Sequence, residues 1–259
     1  MQNKEMYLAA LMKGSFPVDF QQSVAYNLNK DVNKQMLDAT EIDFGLCESF
    51  MQRIVDVHGH IQPRPSYDWF ELGYVNIQYV LLQIGLYTAP TTELIDWLDS
   101  QISDDPQYVP DAIEICCGHG VIGRALGIPI TDSMLQAQPA IQDLYRQQGQ
   151  PTIQYDDDVK CLTAVEAIKK YRPMYVIASY ATHKWKKGQK TGNAFGVDNF
   201  WVANNCYKYF LIGNDNIHNN SEDNVFKRKH ETYSFPWLIT RGDISKARIW
   251  VFESKQWRG

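Results

Sequence analysis

The chain has 259 residues, of which 44% are hydrophobic and 21% charged, a composition ordinary for a globular protein with a sizeable core. Its formal net charge of -5 excludes nucleic-acid binding over the whole surface, so any such contact requires a local basic patch. No stretch reaches the roughly 18 apolar residues of a membrane span, so we expect no membrane segment.

The spacing of apolar residues predicts that residues 1–110 are mainly helical. Residues 74–87 are long and apolar enough for a buried helix. Thr91-Thr92-Glu93 then precedes an apolar face at helical spacing, and a threonine at such a place is a typical N-cap. The first 16 residues mix charged and apolar side chains, which is not typical of a signal peptide.

A short motif in this segment, Asp56-Val57-His58-Gly59-His60, resembles the first metal-binding strand of amidohydrolases. In that strand two alternating His side chains bind a metal. The family also needs His ligands on later strands of an eightfold barrel, and the sequence shows no eightfold repeat. We therefore interpret His58 and His60 as a structural pair, or as part of a lid that contacts substrate, and expect no metal site.

From residue 111 onward, strand and helix patterns alternate, which indicates βαβ units and a parallel sheet. Short, nearly continuous apolar runs, typical of parallel strands covered on both faces, lie at residues 112–117, 128–131, 152–155, 174–179 and 209–213. Helical patterns lie between them at residues 134–148, 159–171 and 199–207. The last two apolar runs, residues 235–240 and 248–252, are too close for a crossover helix and predict an antiparallel pair.

The first strand of this alternating part leads directly into a turn with two glycines, Gly118 and Gly120. Glycine lets the backbone turn sharply and approach a ligand, and a following helix offers free N–H groups. Asp132 ends the second predicted strand, where its carboxylate could accept both hydroxyls of a ribose. In open α/β sheets, ligands lie outside the carboxyl ends of the strands. The pattern indicates a nucleotide-type ligand.

Two classes of nucleotide ligand fit this turn. Gly118, Gly120 and Gly123 satisfy the GxGxxG spacing of NAD sites. Glu114, however, lies four residues before Gly118 at the end of the strand. A carboxylate directed into the site would repel a pyrophosphate and would suit a ligand with an ammonium and a sulfonium.

The run Glu114-x-Cys116-x-Gly118-x-Gly120 resembles motif I of class I S-adenosylmethionine-dependent methyltransferases, which has an acid, a small residue and then GxG. The resemblance covers roughly residues 111–253. It implies that these four residues contact the cofactor S-adenosyl-L-methionine, with cysteine at position 116 where glycine is usual.

Further residues extend the resemblance along the chain. Asp132, between Thr131 and Ser133, looks like the acid that binds the adenosine ribose in that family. Asp157 and Asp158 resemble the position after the third strand that contacts the adenine amino group. The end of the fourth strand faces the substrate in this family, and its last two strands form an antiparallel pair.

Together these observations predict an α/β fold with a Rossmann-like, mostly parallel seven-stranded sheet, an antiparallel C-terminal strand pair and an N-terminal, mainly helical cap. We expect residues 1–110 to form the cap over the substrate region and residues 111–259 to form the cofactor-binding core.

The sequence after the fourth strand supplies the candidate catalytic residues, Tyr180 and His183. A histidine can act as a general base near neutral pH, and a tyrosine can orient or stack on a substrate. The [DN]PP[YF] and Pro-Cys motifs of DNA-base methyltransferases are absent. Basic clusters at residues 184–190 and 227–230 keep a nucleic-acid acceptor open as an alternative.

The expected function is therefore methyl transfer to a small molecule or a protein group. The alternatives are a nucleic-acid methyltransferase and a catalytically silent protein that binds S-adenosylmethionine. The chain has five cysteines at irregular spacing, which indicates reduced thiols and a cytoplasmic protein. The oligomeric state is left open.

Overall fold

A computed structural model describes residues 41–57, 59–61, 69–103, 111–147, 151–218 and 222–254. It confirms the predicted α/β class, with a mostly parallel sheet of seven strands. The strands in chain order are β1 Ala112–Ile115, β2 Ile130–Asp132, β3 Lys160–Cys161, β4 Tyr175–Ser179, β5 Lys208–Asn214, β6 Glu231–Tyr233 and β7 Ala247–Glu253.

The strand order across the sheet is β3-β2-β1-β4-β5-β7-β6. The first five strands of this order run parallel, whereas β7 is antiparallel to both of its neighbours. The predicted antiparallel pair at the C-terminal end is therefore confirmed. The order reverses direction between β1 and β4, which is the place where open α/β sheets bind ligands.

Helices cover both faces of the sheet. In chain order they are α1 Phe44–Ile54, α2 Tyr74–Gln83, α3 Thr92–Ile102, α4 Val121–Leu126, α5 Pro139–Gln147, α6 Ala164–Tyr171 and α7 Asn199–Asn204. The side chain of Thr91 accepts a hydrogen bond from the N–H of Leu94, which confirms the predicted N-cap of α3. Among the described residues, no helix has the length and apolar character needed to cross a membrane.

Side chains alternate between two apolar clusters along the central strands. On β5, Phe210 and Ile212 belong to the cluster that contains side chains of α1 to α4, while Tyr209 and Leu211 belong to the cluster that contains side chains of α6 and α7. Because both faces are buried, these strands read as nearly continuous apolar runs in the sequence. The N-terminal helices thus share one core with the sheet. The boundary at residue 110 stays a prediction.

The third strand differs from the prediction. It is Lys160–Cys161 and not residues 152–155, because the apolar side chains of that earlier segment have another partner. Ile153 is buried against Gly118, and Tyr155 packs with a small cluster beside β2. Residues 151–158, named here the cover segment, therefore lie over the turn after β1.

The sixth strand also differs, since it is Glu231–Tyr233 and residues 235–240 lie outside it. The predicted segment pairs instead with the chain before α3. The N–H of Ala89 donates to the carbonyl of Ile239 at 2.9 Å, and Thr88 and Thr240 form an isolated antiparallel bridge. Its apolar residues thus bind the N-terminal helices.

The contact of α4 with the sheet gives a first prediction. A Cβ atom on Gly123 would lie 2.5 Å from Cγ2 of Ile130 and 2.8 Å from Oε2 of Glu114. We expect Gly123→Ala to lower the free energy of unfolding by about 1–3 kcal/mol, the usual cost of overpacking a tight contact. Urea denaturation measures this change.

Gly45→Ala is the matched control for this substitution. Gly45 is exposed on α1, and the atom nearest to its added Cβ would be Oδ1 of Asp43 at 3.6 Å. The same change there should leave stability unaltered or raise it by about 0.5 kcal/mol. Equal effects at the two positions would contradict the close packing of α4 on β1 and β2.

Candidate functional site

The glycine turn, residues 116–120, follows β1 at the reversal point of the sheet. Cys116, Gly118 and Gly120 all have positive φ, at 52°, 56° and 70°. Glycine adopts this region without penalty, whereas cysteine does so with strain. A Cβ on Gly120 would lie 2.6 Å from Cδ1 of Ile130, so this position also excludes any side chain. The positive φ of Cys116 explains why glycine is usual at that place in the motif it resembles.

The carboxylate of Asp132 reaches the glycine turn from the end of β2. Its Oδ2 accepts a hydrogen bond from the N–H of Gly118 at 3.1 Å. Its Oδ1 accepts from the N–H of Met134 at 2.8 Å and from the hydroxyl of Tyr155 at 3.2 Å. Burial raises the pKa of Asp132, and these three donors oppose the shift. The structure thus brings together the turn and the acid that sequence reasoning selected.

Tyr155 and Ile153 are the residues that sequence reasoning missed at this site. Both belong to the cover segment and were assigned to a strand. Tyr155 donates to Asp132, and Ile153 contacts the face of Gly118 where a side chain would otherwise be. Their alternating apolar pattern is the same for a strand as for a segment that covers a turn, so no local signal distinguishes the two.

Glu114 lies beneath the turn and does not face an open site. Its side chain is buried, and Oε2 accepts a hydrogen bond from the N–H of Gly123 in α4 at 2.8 Å. Burial raises the pKa of Glu114 to about 8, and the charge of Asp132 adds to the rise. The expectation that this carboxylate points at the ligand is wrong. The role of Glu114 in cofactor binding stays a prediction. Its side chain contacts the N–H of Gly123, on the side of the turn where α4 lies.

Asp157 and Asp158 precede the third strand, so their predicted position after that strand is wrong. The residue that follows β3 is Leu162, whose N–H donates to the carbonyl of Asp132 at 2.9 Å. Asp158 is held by Arg124, whose Nε and Nη2 each lie 2.8 Å from one of its oxygens. Asp157 is exposed. A contact of either residue with adenine stays a prediction.

A cavity of about 420 Å³ nevertheless includes both aspartates in its wall. Its lining residues are His60, Arg124, Tyr155, Asp156, Asp157 and Asp158. Tyr155 belongs to this wall and also contacts Asp132, so the cavity adjoins the acid at the end of β2. The space is large enough for a heterocyclic base.

The histidine motif contributes to the same cavity through His60. Its Nδ1 lies 2.9 Å from Oδ1 of Asp156, which also pairs through Oδ2 with Arg124 at 2.8 Å. His58 lies outside the described residues. Within the described part of the chain, no three His, Cys, Asp or Glu side chains are grouped as metal ligands. His60 therefore lies against the ion pair of Asp156 and Arg124 beside the cavity.

Tyr180 lies directly after β4, at the second side of the reversal point. It has a φ of 57°, and its hydroxyl donates to the backbone carbonyl of Arg241. Its ring lies beside that of Tyr87, with centroids 5.2 Å apart, and meets the ring of His218 edge-on at 4.8 Å. Tyr180 is therefore fixed in place near the glycine turn, and its catalytic role stays a prediction.

His183 lies in a second, smaller cavity of about 70 Å³, whose lining includes neither Tyr180 nor the glycine turn. The ring is buried, and Nε2 is 3.5 Å from Oγ1 of Thr191, which donates to Glu222. Tyr180 meets the ring of His218, and the charge of His183 also acts on His218. The role of His183 as general base stays a prediction.

Both basic clusters are partly engaged within the protein. Lys186 pairs with Asp198 at 3.6 Å, and the backbone N–H of Lys190 donates to Glu222 at 2.9 Å. In the second cluster, Arg228 donates to the side chain of Asn204. The carboxylates of Asp198 and Glu222 reduce the positive potential of the first cluster, whereas the neutral amide of Asn204 leaves the charge of Arg228 in the second.

Comparisons with known proteins do not assign the chain to a protein family. No family model matches the sequence, and no curated protein matches it. The function is therefore argued from the fold and the geometry of the site.

The buried carboxyl group of Glu114 makes stability depend on pH. Its pKa of about 8 in the folded protein exceeds the ordinary value of 4.5, so the protonated form stabilises the fold. This stability is present below pH 4.5 and is lost as the pH rises through 8. Relative to Glu114→Gln, the wild type should lose up to about 1.4 kcal/mol per pH unit in this window. Urea denaturation at several pH values measures the difference.

Glutamine suits this comparison because its Oε1 can still accept the N–H of Gly123. Glu48→Gln, an exposed position on α1, controls for loss of a carboxylate elsewhere and should keep the wild-type pH profile. Parallel profiles for wild type and Glu114→Gln between pH 5 and 8 would show that Glu114 is not protonated in the folded protein.

Proposed function

We propose that the protein is an S-adenosylmethionine-dependent methyltransferase that acts on a small molecule or a protein group. The observation that carries the proposal is the sheet order β3-β2-β1-β4-β5-β7-β6, with β7 reversed and the glycine turn and Asp132 at adjacent strand ends. The reversed last strand between β5 and β6 is the arrangement of the family that motif I resembles.

The sheet favours this cofactor over NAD. Dinucleotide-binding sheets of the Rossmann type have the order 3-2-1-4-5-6. Here an antiparallel strand intervenes before β6. Gly123, the third glycine of the GxGxxG spacing, packs against Ile130 and Glu114. Such packing of the helix on the strands is compatible with either cofactor, so Gly123 does not favour NAD.

The charges around the turn favour a cationic ligand. Glu114 and Asp132 are both buried there, and the charge of Asp132 raises the pKa of Glu114. A pyrophosphate would add negative charge beside these two acids and raise their pKa values further. A ligand with a sulfonium and an ammonium would have the opposite effect. This argument does not require Glu114 to point into the site.

The adenosine part of the cofactor fits the side of the turn near β2. Asp132 would accept the ribose hydroxyls, and the neighbouring cavity with Asp157 in its wall would take the base. A carboxylate has about four acceptor positions, and they are already used by the N–H groups of Gly118, Met134 and Ser133 and by the hydroxyl of Tyr155. Binding of a ribose hydroxyl at Oδ1 therefore requires Tyr155 to release Asp132.

Methyl transfer needs little from the protein beyond placement. A lone pair of the acceptor forms a bond to the methyl carbon while the carbon–sulfur bond breaks, which leaves a neutral thioether. The enzyme holds the two groups in line and removes a proton from the acceptor where one is lost. Tyr180, fixed at the end of β4, would position the acceptor, and His183 is the candidate base.

We place the protein in the cytoplasm. All five cysteines lie within the described residues, and each is a free thiol. This usage is typical of a reducing compartment.

Calorimetric titration with S-adenosylhomocysteine tests the ribose contact. Asp132→Asn removes the charged acceptor, and hydrogen bonds to charged groups contribute about 1.5–3 kcal/mol, so affinity should fall at least about tenfold. Tyr155→Phe is the matched control, because it frees an oxygen of Asp132 and should not weaken binding. Equal affinity for wild type and Asp132→Asn would remove the ribose assignment.

Thermal unfolding separates the cofactor classes. S-adenosylhomocysteine at about 100 times its dissociation constant should stabilise the fold by about 2.7 kcal/mol and raise the melting temperature, whereas NAD should not. Transfer of labelled methyl from S-adenosylmethionine in a cell extract then distinguishes an enzyme from a silent binding protein. Stabilisation by NAD alone would contradict the proposal.

A further inference from the structure

A buried arginine, Arg241, lies in the segment between β6 and β7. Only 6% of it is exposed. Its Nε donates to the carbonyl of Leu86 at 2.6 Å, and Nη2 donates to the carbonyl of Leu81 at 2.9 Å. The guanidinium lies over the ring of Tyr87, 4.1 Å from its centroid. Among the described residues, no carboxylate pairs with Arg241, and its Nη1 has no hydrogen-bond partner.

A buried charge without a counter-charge is costly. The carbonyl of Leu81 belongs to the last turn of α2, and the negative end of a helix dipole offsets part of this cost. Carbonyl groups and an aromatic ring hold the guanidinium in place without neutralising it. The guanidinium therefore keeps its positive charge without a counter-charge among the described residues.

The segment that carries Arg241 has a second, neutral anchor. Gln78 on α2 holds the same segment, with Nε2 donating to the carbonyl of Thr240 at 3.0 Å and Oε1 accepting from the N–H of Gly242 at 2.8 Å. A neutral amide thus makes the same kind of connection between α2 and residues 240–242. A charged side chain at position 241 calls for a further explanation.

Arg241 adjoins both halves of the candidate site. Its carbonyl accepts the hydroxyl of Tyr180 at the end of β4. Its charge also reaches His119 in the glycine turn, where burial lowers the pKa of the imidazole to about 4 and Arg241 contributes to the shift. His119 is therefore neutral at pH 7. Arg124 also lies near His119, with Nη1 donating to its carbonyl at 3.1 Å, but it is paired with Asp156 and Asp158. Arg241 has no such carboxylate partner among the described residues, and the rings of Tyr87 and Tyr180 lie beside it.

We propose that Arg241 binds an anionic group, a carboxylate or a phosphate, on the methyl acceptor. The planar guanidinium suits either group through charge-assisted hydrogen bonds, and the two tyrosine rings can pack against an apolar body next to the anion. The assignment to the acceptor rests on the proposed function, whereas anion binding by Arg241 does not. The acceptor would thus be a small acid or a phosphorylated group.

The test uses the full chain saturated with S-adenosylhomocysteine, so that the cofactor's own carboxylate is present throughout. Benzoate and inorganic phosphate are titrated as probes by calorimetry, and benzamide serves as the neutral counterpart of benzoate. We expect one of the two anions to bind, benzamide not to bind, and Arg241→Gln to weaken binding of that anion at least about tenfold. Preference for benzoate or phosphate distinguishes the two anions.

Gln78→Ala is the matched control, because it loosens the same segment and keeps the charge. It should retain the anion affinity of the wild type. Circular dichroism checks folding, and if Arg241→Gln does not fold, Arg241→Lys decides. Lysine keeps the positive charge but lacks the planar guanidinium with its several N–H donors. We therefore expect Arg241→Lys to bind the anion more weakly than the wild type but not to lose binding completely.

The proposal would be overturned if the wild type bound no anion, or if the wild type and the Arg241 variants bound it with equal affinity. It would also be overturned if Gln78→Ala lost as much anion affinity as Arg241→Gln, or if anions bound only in the absence of S-adenosylhomocysteine. The last result would assign Arg241 to the cofactor's carboxylate. If S-adenosylhomocysteine does not bind but Arg241-dependent anion binding persists, the anion site is supported and the proposed function falls.

Discussion

The carboxylate of Asp132 accepts the N–H of Gly118, and this hydrogen bond joins the end of β2 to the turn that follows β1. The same carboxylate accepts the hydroxyl of Tyr155, so it also fixes the cover segment over the turn. The cavity beside Asp157 exists because that segment crosses the strand ends and does not enter the sheet. One buried acid therefore determines the shape of the whole side of the site near β2.

The two sides of the sheet reversal differ in charge. Near β1 and β2, the buried carboxylate of Asp132 produces a negative environment, which suits a sulfonium and an ammonium. Near the end of β4, Arg241 supplies a buried positive charge beside Tyr180. A cationic methyl donor near β1 and β2 would meet the negative charge there, and an anionic methyl acceptor near β4 would meet Arg241. Such an arrangement would orient both reactants before transfer.

Much of the fold could be predicted from the sequence where local signals are strong. The apolar run before Gly118 forms a strand where it was expected, because the glycine turn marks the end of the run. The strands β3 and β6 were missed since they have only two and three residues, without a buried run. In both cases a neighbouring segment with a stronger apolar pattern was taken for the strand.

The candidate site was predicted only in part for the same physical reason. The turn and Asp132 follow strand ends, and the ends of parallel strands meet at one edge of a sheet. The direction of Glu114 depends on the packing of α4, and the placement of Arg241 depends on contacts with Leu81 and Leu86 about 160 and 155 residues away. No local pattern encodes such contacts. They become visible only when the N-terminal helices are packed on the sheet.

A crystal structure of the protein with S-adenosylhomocysteine tests the central claim most directly. The account predicts that the ribose hydroxyls lie within hydrogen-bond distance of Asp132, that Tyr155 has released this carboxylate, and that the amino-acid part of the ligand lies over Gly118 and Gly120. A ligand bound away from the glycine turn, or a ribose without a contact to Asp132, would contradict the account.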